Sequence, residues 1–259
     1  MTESSPGLIR PGERKDLAGR VALVTGSSRN IGRMIALELA GAGAAVMVNA
    51  RTSAAEAEAV ADEIRKAGGR ADVKLADVAD PGGSAALVAA AVESFGRLDI
   101  LVNNAAVRRE VEFAQIDYRE WRDILSVILD AAYLCCHAAL PHLIASGSGA
   151  VINIGGVSAH TGASRRAHVV AAKAGLAGLT RALAHDLAPH GITVNCVVPG
   201  FIDTRRPGGV PAGHAVARPL AGRLGQPGEI AALVRFLCGP EARYITGQSI
   251  HANGGVFMA

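Results

Sequence analysis

The chain has 259 residues, of which half are hydrophobic and only 3% are aromatic, so its core is built mainly from Ala, Val, Leu and Ile. This length fits one α/β domain or two small domains. The formal net charge of +3 is too small to indicate by itself a nucleic-acid-binding surface. No apolar run approaches the length of about 20 residues that a membrane span needs.

The N-terminal segment, residues 1–16, is polar, contains two prolines and lacks the apolar stretch of a signal peptide. We interpret it as a flexible leader and residues 17–259 as one domain, because no linker or composition break divides them. The four cysteines lie in apolar surroundings without the spacing of metal ligands, at positions 135, 136, 196 and 238. They predict buried, reduced thiols in a cytoplasmic protein without a metal site.

The first predicted strand, Val21–Val24, leads through a glycine-containing turn into an amphipathic helix over Ile31–Gly43. This combination forms an anion site, because the free backbone N–H groups and the dipole at a helix N-terminus attract a phosphate. Gly26 and Gly32 lack Cβ atoms, so a ligand or backbone can come close. The spacing differs from G-x-G-x-x-G, so the assignment depends on the βαβ pattern that follows.

Strands and helices alternate along the rest of the chain. The predicted strands are Ala45–Asn49, Ala71–Leu75, Ile100–Val102, Ala150–Ile154, Ile192–Val198 and Gln248–Ala252. The predicted helices are Ala54–Ala67, Ser84–Phe95, Trp121–Ile144, Ala167–Ala188 and Glu229–Leu237. This alternation predicts a parallel sheet covered on both faces. Thr204–Gly228 is rich in Gly and Pro and longer than a usual connection, which is typical of a lid or binding loop.

Several ordered motifs carry a family resemblance. They are Thr25–Gly32 (TGSSRNIG), Asp77, Asn103–Ala105, Lys173, Pro199–Gly200 with Thr204, and Ile245–Met258. Over residues 17–259 the chain resembles the short-chain dehydrogenase/reductase family, in its 3-oxoacyl-carrier-protein reductase-like branch. The resemblance implies a single doubly wound Rossmann-type domain with seven parallel strands, a nicotinamide cofactor, and a homotetramer with the Gly254–Gly255 loop at a subunit interface. The small net charge and the lack of a long apolar run predict no nucleic-acid or membrane partner.

The motifs also assign cofactor contacts. These fall on Gly26, Ser27, Ser28, Arg29, Asn30, Ile31, Gly32, Arg51, Asp77, Val78, Asn104, Ala105, Lys173, Pro199, Gly200, Ile202 and Thr204. Asn30 replaces the middle glycine of the turn and should keep its shape, since Asn tolerates a positive φ. Ala106 replaces the last glycine of the NNAG motif and adds a methyl group near the cleft. The second strand ends in Asn49-Ala50-Arg51, without the Asp of NAD-preferring relatives. With Arg29 it favours NADP(H) over NAD(H).

The catalytic positions depart from the family. The resemblance implies a Ser that orients the substrate carbonyl, a Tyr acid/base, a Lys that binds ribose, and an Asn that completes a proton relay. Lys173 matches the Lys, but the other three roles fall on Gly156, Val169 and Ile128, whose side chains move no proton. The tyrosines are at positions 118, 133 and 244, outside the segment in question.

Other side chains near these positions could replace the missing groups. His160 and Ser158, in the loop predicted after the fifth strand, join Lys173 as catalytic candidates, because histidine works as acid or base near neutral pH. Ser164 could supply a hydroxyl near the missing Ser as well. His168 lies about 100° around the helix from position 169 and should face elsewhere. We expect both histidines to be loop or surface residues if they are not catalytic, and Tyr133 and Trp121 to belong to the core.

Three double-arginine pairs, Arg108-Arg109, Arg165-Arg166 and Arg205-Arg206, follow strands whose carboxyl ends should line the ligand crevice. They predict a small anionic substrate with a carboxylate, a phosphate or an acyl-thioester carrier. Three functions stay open. An NADP(H)-dependent oxidoreductase with a non-standard acid/base is favoured, because the whole cofactor cleft is kept. The alternatives are a lyase or isomerase that uses His160 and the arginines, and a cofactor-binding protein without catalysis.

Overall fold

The computed structural model describes residues 15–204 and 219–258, which fold around one seven-stranded parallel sheet. The strands are β1 (Val21–Val24), β2 (Ala45–Ala50), β3 (Ala71–Leu75), β4 (Ile100–Asn103), β5 (Ala150–Ile154), β6 (Thr193–Pro199) and β7 (Ser249–Ala252). The helices are α1 (Asn30–Gly41), α2 (Ala54–Lys66), α3 (Pro81–Phe95), α4 (Tyr118–Leu125), α5 (Ala131–Ala145), α6 (Ser158–Thr161), α7 (Ala167–Leu187) and α8 (Pro227–Cys238). The predicted doubly wound α/β fold is therefore confirmed. Several predictions fall outside the described residues: the leader up to residue 14, Arg205 and Arg206, and most of the Thr204–Gly228 stretch.

Both faces of the sheet are covered, which explains why its strands read as continuous apolar runs. Alternate side chains of each strand point to opposite faces. Val24 and Val48 join one core cluster with α1, α2 and α8, whereas Leu23 and Met47 join another with α3 and α5. All four described cysteines are buried and unpaired, as predicted.

The strand order β3-β2-β1-β4-β5-β6-β7 locates the ligand crevice. β2 and β3 follow on one side of β1, and β4 then pairs with β1 on its other side. At such a reversal the connections leave in opposite directions, and a crevice opens outside the carboxyl ends of the strands. The turn after β1 and the segment after β4 both lie at this point, so the phosphate motif and Asn103–Ala105 meet there.

Two helices begin earlier than predicted, because a capping residue precedes each of them. α3 begins at Pro81 rather than Ser84, because the Asp80 carboxylate accepts a hydrogen bond of 2.7 Å from the Gly83 N–H. α8 begins at Pro227, because Gln226 and Glu229 form a capping box. α6 is a helical turn where a loop was expected, so His160 and Ser158 lie on a helix.

The long helix predicted over Trp121–Ile144 is a continuous helical segment from Tyr118 to Ala145, with a π-helical turn at Ser126–Asp130. By length and composition alone it could cross a membrane, so the statement that no apolar run approaches this length was wrong. In the fold it packs against α3, α7 and β4 as a layer of the domain. Only part of it is buried: Tyr133 is 53% exposed, so its assignment to the core was also wrong, and Trp121 is half-buried.

Candidate active site

A cavity of about 490 Å³ opens at the carboxyl ends of β1, β4, β5 and β6. The predicted cofactor residues that line it are Gly26, Arg29, Asn30, Ile31, Gly32, Asn104, Lys173, Pro199, Gly200, Ile202 and Thr204. Those outside its wall are Ser27, Ser28, Arg51, Asp77, Val78 and Ala105. Sequence reasoning did not name Val107, Ile154, Gly155, Val157 and Phe201, which also line it. Each of these ends or follows a strand at the crevice, which is the signal that could have identified them.

The phosphate turn between β1 and α1 has the shape that its sequence requires. Gly26 has a φ of 61° and Asn30 a φ of 51°, so the prediction that Asn30 would keep a positive φ is confirmed. A Cβ atom on Gly32 would lie 2.4 Å from Asn104 Nδ2 and 2.4 Å from the Gly26 carbonyl oxygen. Only glycine fits at position 32, and its absent side chain lets the turn close tightly on α1.

Neighbouring strands clamp this turn. The Asn104 side-chain amide donates hydrogen bonds of 2.9 Å to the carbonyl oxygens of Thr25 and Gly26. From β2, Asn49 Oδ1 accepts a bond of 3.1 Å from the Gly26 N–H. Ser27 is fully buried and its hydroxyl donates to the Val24 carbonyl oxygen at 2.7 Å, so it shapes the turn rather than lining the cavity. The turn is thus held before any ligand binds.

The first turn of α1 fits an anionic group. The Arg29 side chain does not cap the helix, and the first turn contains no acidic residue, so its backbone N–H groups keep their capacity for a ligand. Within the described residues the Arg29 guanidinium makes no ion pair, whereas Arg51 lies 3.9 Å from the Asp77 carboxylate. The Ser28 hydroxyl lies 3.4 Å from Glu56. This arrangement fits the phosphates of a dinucleotide.

Lys173 reaches the cavity from α7. Its side chain is 9% exposed, and Nζ donates a hydrogen bond to the carbonyl oxygen of Ile154 at the end of β5. Burial, opposed by Cys196 and assisted by the nearby positive charge of Arg108, lowers the pKa of its ammonium group to about 8. Lys173 is therefore a buried amine that changes protonation near neutral pH, and not a solvated surface lysine.

The positions that lack catalytic residues lie beside Lys173. Val169, one helical turn before it, and Gly156, just after β5, both line the cavity. Ile128 lies in the π-helical turn and packs in one apolar cluster with Val169. The described lining contains no tyrosine or histidine. Ser158 is the nearest hydroxyl in sequence to the vacant Ser position, and it does line the cavity.

The histidine candidates lie elsewhere. The centroid of the His160 ring lies 4.5 Å from that of His251 and 5.4 Å from that of Phe257, and His160 does not line the cavity. His168 faces away from the cavity, as expected, but it is fully buried and not on the surface, with Nε2 3.3 Å from a Glu120 carboxylate oxygen. Ser164 is exposed and also outside the wall. Of the candidates for proton transfer, Lys173 and Ser158 both line the cavity.

The arginine pairs converge only in part. Arg108 and Arg166 line the cavity, but Arg109 is paired with Glu120 and Arg165 lies 3.1 Å from Glu112. Each of the two pairs that the structure describes therefore splits, because consecutive residues point in different directions. The described lining carries four cationic side chains, Arg29, Arg108, Arg166 and Lys173, and no carboxylate.

Glu110 is the acidic group next to this lining. Arg166 donates to its carboxylate, and this hydrogen bond keeps the pKa of Glu110 below its usual range. The Val111 N–H also donates to the Arg165 carbonyl oxygen at 2.8 Å. The segment after β4 and the segment before α7 are therefore joined at the edge of the cavity, and this contact orients Arg166.

Comparison with known proteins gives consistent matches over nearly the whole chain. The family model described as enoyl-(acyl carrier protein) reductase matches residues 26–257. The 3-oxoacyl-(acyl-carrier-protein) reductase FabG of Staphylococcus aureus is 42% identical over 241 residues, spanning 92% of this chain and 98% of that protein. The corresponding reductase FabG of Vibrio cholerae is 40% identical over 246 residues, spanning 94% of this chain and 99% of that protein.

Solved structures show the same likeness. A dehydrogenase/reductase from Sinorhizobium meliloti has a TM-score of 0.90 and 38% identity, covering 95% of this chain and 98% of that one. A short chain dehydrogenase from Burkholderia cenocepacia, solved in complex with NADP, has a TM-score of 0.88 and 38% identity. That match covers 93% of this chain and 99% of the Burkholderia chain.

Proposed function

Because the chain belongs to the short-chain dehydrogenase/reductase family of oxidoreductases, we propose that it is an NADP(H)-dependent enzyme acting on a carbonyl or alcohol group of a small anionic molecule. One observation carries the proposal: a single cavity joins the phosphate turn, the buried Lys173 amine and a lining with four cations and no carboxylate among its described residues. The Burkholderia relative in complex with NADP supports the choice of cofactor class.

The residues at the cavity fit a nicotinamide dinucleotide. The N–H groups of the first turn of α1 would hold the phosphates that join its two nucleotides, and the Arg29 guanidinium would hold the 2′-phosphate of NADP(H). Lys173 would bind the ribose next to the nicotinamide, as the family resemblance implies. When bound, such a cofactor supplies hydride to a carbonyl carbon or accepts it from an alcohol. Arg108 and Arg166 would bind the negative charge of the substrate.

We assign the role of proton donor to Lys173. Ser158 would supply the hydroxyl that orients the substrate oxygen. A carbonyl oxygen that becomes an alcohol needs a proton, and Val169 and Gly156 supply none. The Lys173 ammonium donates one below its pKa of about 8 and loses this ability above it. The buried amine thereby replaces the missing tyrosine hydroxyl.

This assignment predicts the pH dependence of turnover. With NADPH and a panel of carbonyl compounds with and without a carboxylate, wild-type reduction should fall as the pH rises through about 8, because the donor becomes neutral. Lys173→Ala should lower kcat by about 10²–10⁴-fold. Steady-state NADPH oxidation between pH 6 and 10 measures both effects. Reduction at an unchanged rate in Lys173→Ala would contradict the assignment.

Cofactor preference gives a second prediction. Arg29→Ala should weaken NADPH binding by about 10–100-fold, because it removes one charge-assisted hydrogen bond, worth about 1.5–3 kcal/mol, to a 2′-phosphate. Binding of NADH should stay almost unchanged. Calorimetric titration of both cofactors with wild type and variant measures the ratio. Arg33→Ala is the matched control, because Arg33 is paired with Glu63 and does not line the cavity. Equal affinity of the wild type for NADPH and NADH would refute the predicted preference.

Val169 and Gly156 favour a second candidate, a protein that keeps the cofactor site without redox turnover. One version is a lyase or isomerase that converts its substrate without using up cofactor, and the other is a cofactor-binding sensor or partner subunit. The version that relies on His160 lacks support, because His160 packs against His251 outside the cavity wall. Cofactor binding without NADPH oxidation across the carbonyl panel would favour this second candidate.

We also propose that the protein is a cytoplasmic homotetramer. The partly exposed apolar face of the helical segment Tyr118–Ala145, with Tyr133 and Ile144 exposed, supports burial against another subunit. The four buried, unpaired cysteines fit a reducing compartment. Light scattering coupled to size-exclusion chromatography tests the assembly directly.

A further inference from the structure

The environment of the Lys173 amine differs from that of an ordinary lysine. Lys173 lines the cavity from α7, and its Nζ donates to the Ile154 carbonyl oxygen at the end of β5. The charged and titratable neighbours that act on it are Arg108, after β4, and Cys196, on β6. The Cys196 thiol is itself buried, and burial raises its pKa, so it offers no thiolate near neutral pH. No carboxylate in the described lining pairs with this ammonium group.

These surroundings favour a neutral amine. With a pKa lowered to about 8, Lys173 carries more neutral amine near pH 8 than a surface lysine with a pKa of about 10.4. The neutral amine can donate one hydrogen to the Ile154 oxygen while its lone pair stays available to the cavity. A desolvated lysine next to another cation is an activated nucleophile toward carbonyl compounds. Val169, one helical turn before Lys173 on α7, carries no hydroxyl that could donate a hydrogen bond to this lone pair.

We infer that Lys173 is a nucleophile that forms an imine with small carbonyl compounds bearing a carboxylate, and that Arg108 and Arg166 select them. The nitrogen lone pair adds to the carbonyl carbon to form a C–N bond and a carbinolamine. The two hydrogens of the amine pass to the former carbonyl oxygen, which leaves as water when its C–O bond breaks, and the C=N bond forms. The step consumes no oxidant or reductant, so it needs no bound cofactor.

Selection of a carboxylate follows from the charge of the lining. Arg166 is oriented by Glu110, and Arg108 lines the same cavity as the amine. A planar guanidinium binds a carboxylate through two parallel hydrogen bonds, which would hold the adjacent carbonyl carbon near the amine. A 2-oxo acid has this arrangement, with the two groups on neighbouring carbons. An uncharged ketone of the same size lacks the anchor.

The chain provides its own controls for the test, because its lysines are Lys15, Lys66, Lys74 and Lys173 only. The full-length protein is incubated at pH 8 with pyruvate and sodium cyanoborohydride, which reduces an imine to a stable secondary amine. Peptide mass spectrometry then measures the rate of modification at each lysine. Acetone replaces pyruvate as the probe without a carboxylate.

Pyruvate should modify Lys173 at least tenfold faster than it modifies Lys15, Lys66 or Lys74, and acetone should show much less selectivity. The rate at Lys173 should rise with pH through about 8, opposite to the expected fall of carbonyl reduction. NADP⁺ should slow the labelling if cofactor and imine share the cavity. Lys173→Arg should lose the adduct, and circular dichroism checks that it stays folded.

Modification of Lys173 no faster than the other lysines would overturn the inference, as would equal selectivity with acetone. Neither result depends on the redox proposal, because the labelling is done without NADPH. Conversely, absent NADPH oxidation would count against the redox proposal while leaving the imine intact. Labelling of Arg108→Ala together with Arg166→Ala tests the carboxylate anchor, and unchanged selectivity in that variant would exclude it.

Discussion

Val169→Tyr combined with Gly156→Ser should create or raise NADPH-dependent reduction of small ketones, by about 10²–10⁴-fold over the wild type. This is the range that a positioned general acid contributes to a reaction. A tyrosine at position 169 lies one helical turn before Lys173, on the same wall of the cavity, so the ammonium group would lower the pKa of its hydroxyl. The Lys173 amine would then support the new acid instead of acting alone.

The structure has room for both side chains. A Cβ atom on Gly156 meets no other atom within 4 Å, so serine adds a hydroxyl at little steric cost. Val169 lines a cavity of about 490 Å³, and a larger side chain can extend into that space. Its present packing with Ile128 and neighbouring apolar residues is lost in part, so a small loss of stability is expected.

Val169→Phe with Gly156→Ser is the matched control, because it adds the same ring without the hydroxyl. Initial rates of NADPH oxidation with one ketone, measured for wild type and both double variants, separate acid catalysis from packing. Equal rates for the Tyr and Phe variants, in proteins that still bind NADPH, would contradict the assignment of positions 156 and 169. A wild type that is already as fast as the Tyr variant would contradict it too.

The second large effect concerns the anionic substrate. Arg108→Ala with Arg166→Ala should weaken binding of an acidic ligand by about 10²–10⁴-fold, because two charge-assisted hydrogen bonds of about 1.5–3 kcal/mol each are lost. Removal of Arg166 also leaves the Glu110 carboxylate unpaired at the edge of the cavity, where it repels an anion. Binding of an uncharged analogue should change little.

Arg165→Ala is the matched control, since Arg165 is adjacent in sequence, pairs with Glu112 and does not line the cavity. Calorimetry with a 2-oxo acid at low and high salt measures the effect, and salt should weaken wild-type binding because it screens the positive field. If the double variant binds as tightly as the wild type, or if Arg165→Ala weakens binding equally, the two arginines do not hold the substrate.

The sequence by itself determined the layered fold and the kind of site. Short apolar runs bounded by glycines, such as Ala150–Ile154, predict central strands, and their alternation with helices predicts a parallel sheet. Local chemistry also fixed the phosphate turn, because Gly26, Asn30 and Gly32 satisfy backbone requirements within a few residues of one another. The absence of a tyrosine four residues before Lys173 likewise needs no coordinates.

Tertiary structure decided the direction and the partners of individual side chains. Arg108 and Arg166 line the cavity and Arg109 and Arg165 do not, because consecutive residues point to different sides. Glutamates pair with Arg109, Arg165 and also Arg166. The sequence gives no sign that Glu110 would meet Arg166 across more than 50 residues. Long-range packing also buried His168, a residue that sequence reasoning left on the surface.

The same packing set the chemistry of the remaining catalytic group. From the sequence, a lysine in an apolar helix is only a candidate catalytic residue. Its protonation depends on its exposure to water and on the charges around it. β5, β6 and the segment after β4 surround Lys173. Burial, assisted by the charge of Arg108 and opposed by Cys196, lowers its pKa to about 8. The residues that bury Lys173 and act on its charge are far apart in the chain, so its lowered pKa is evident only from the folded structure.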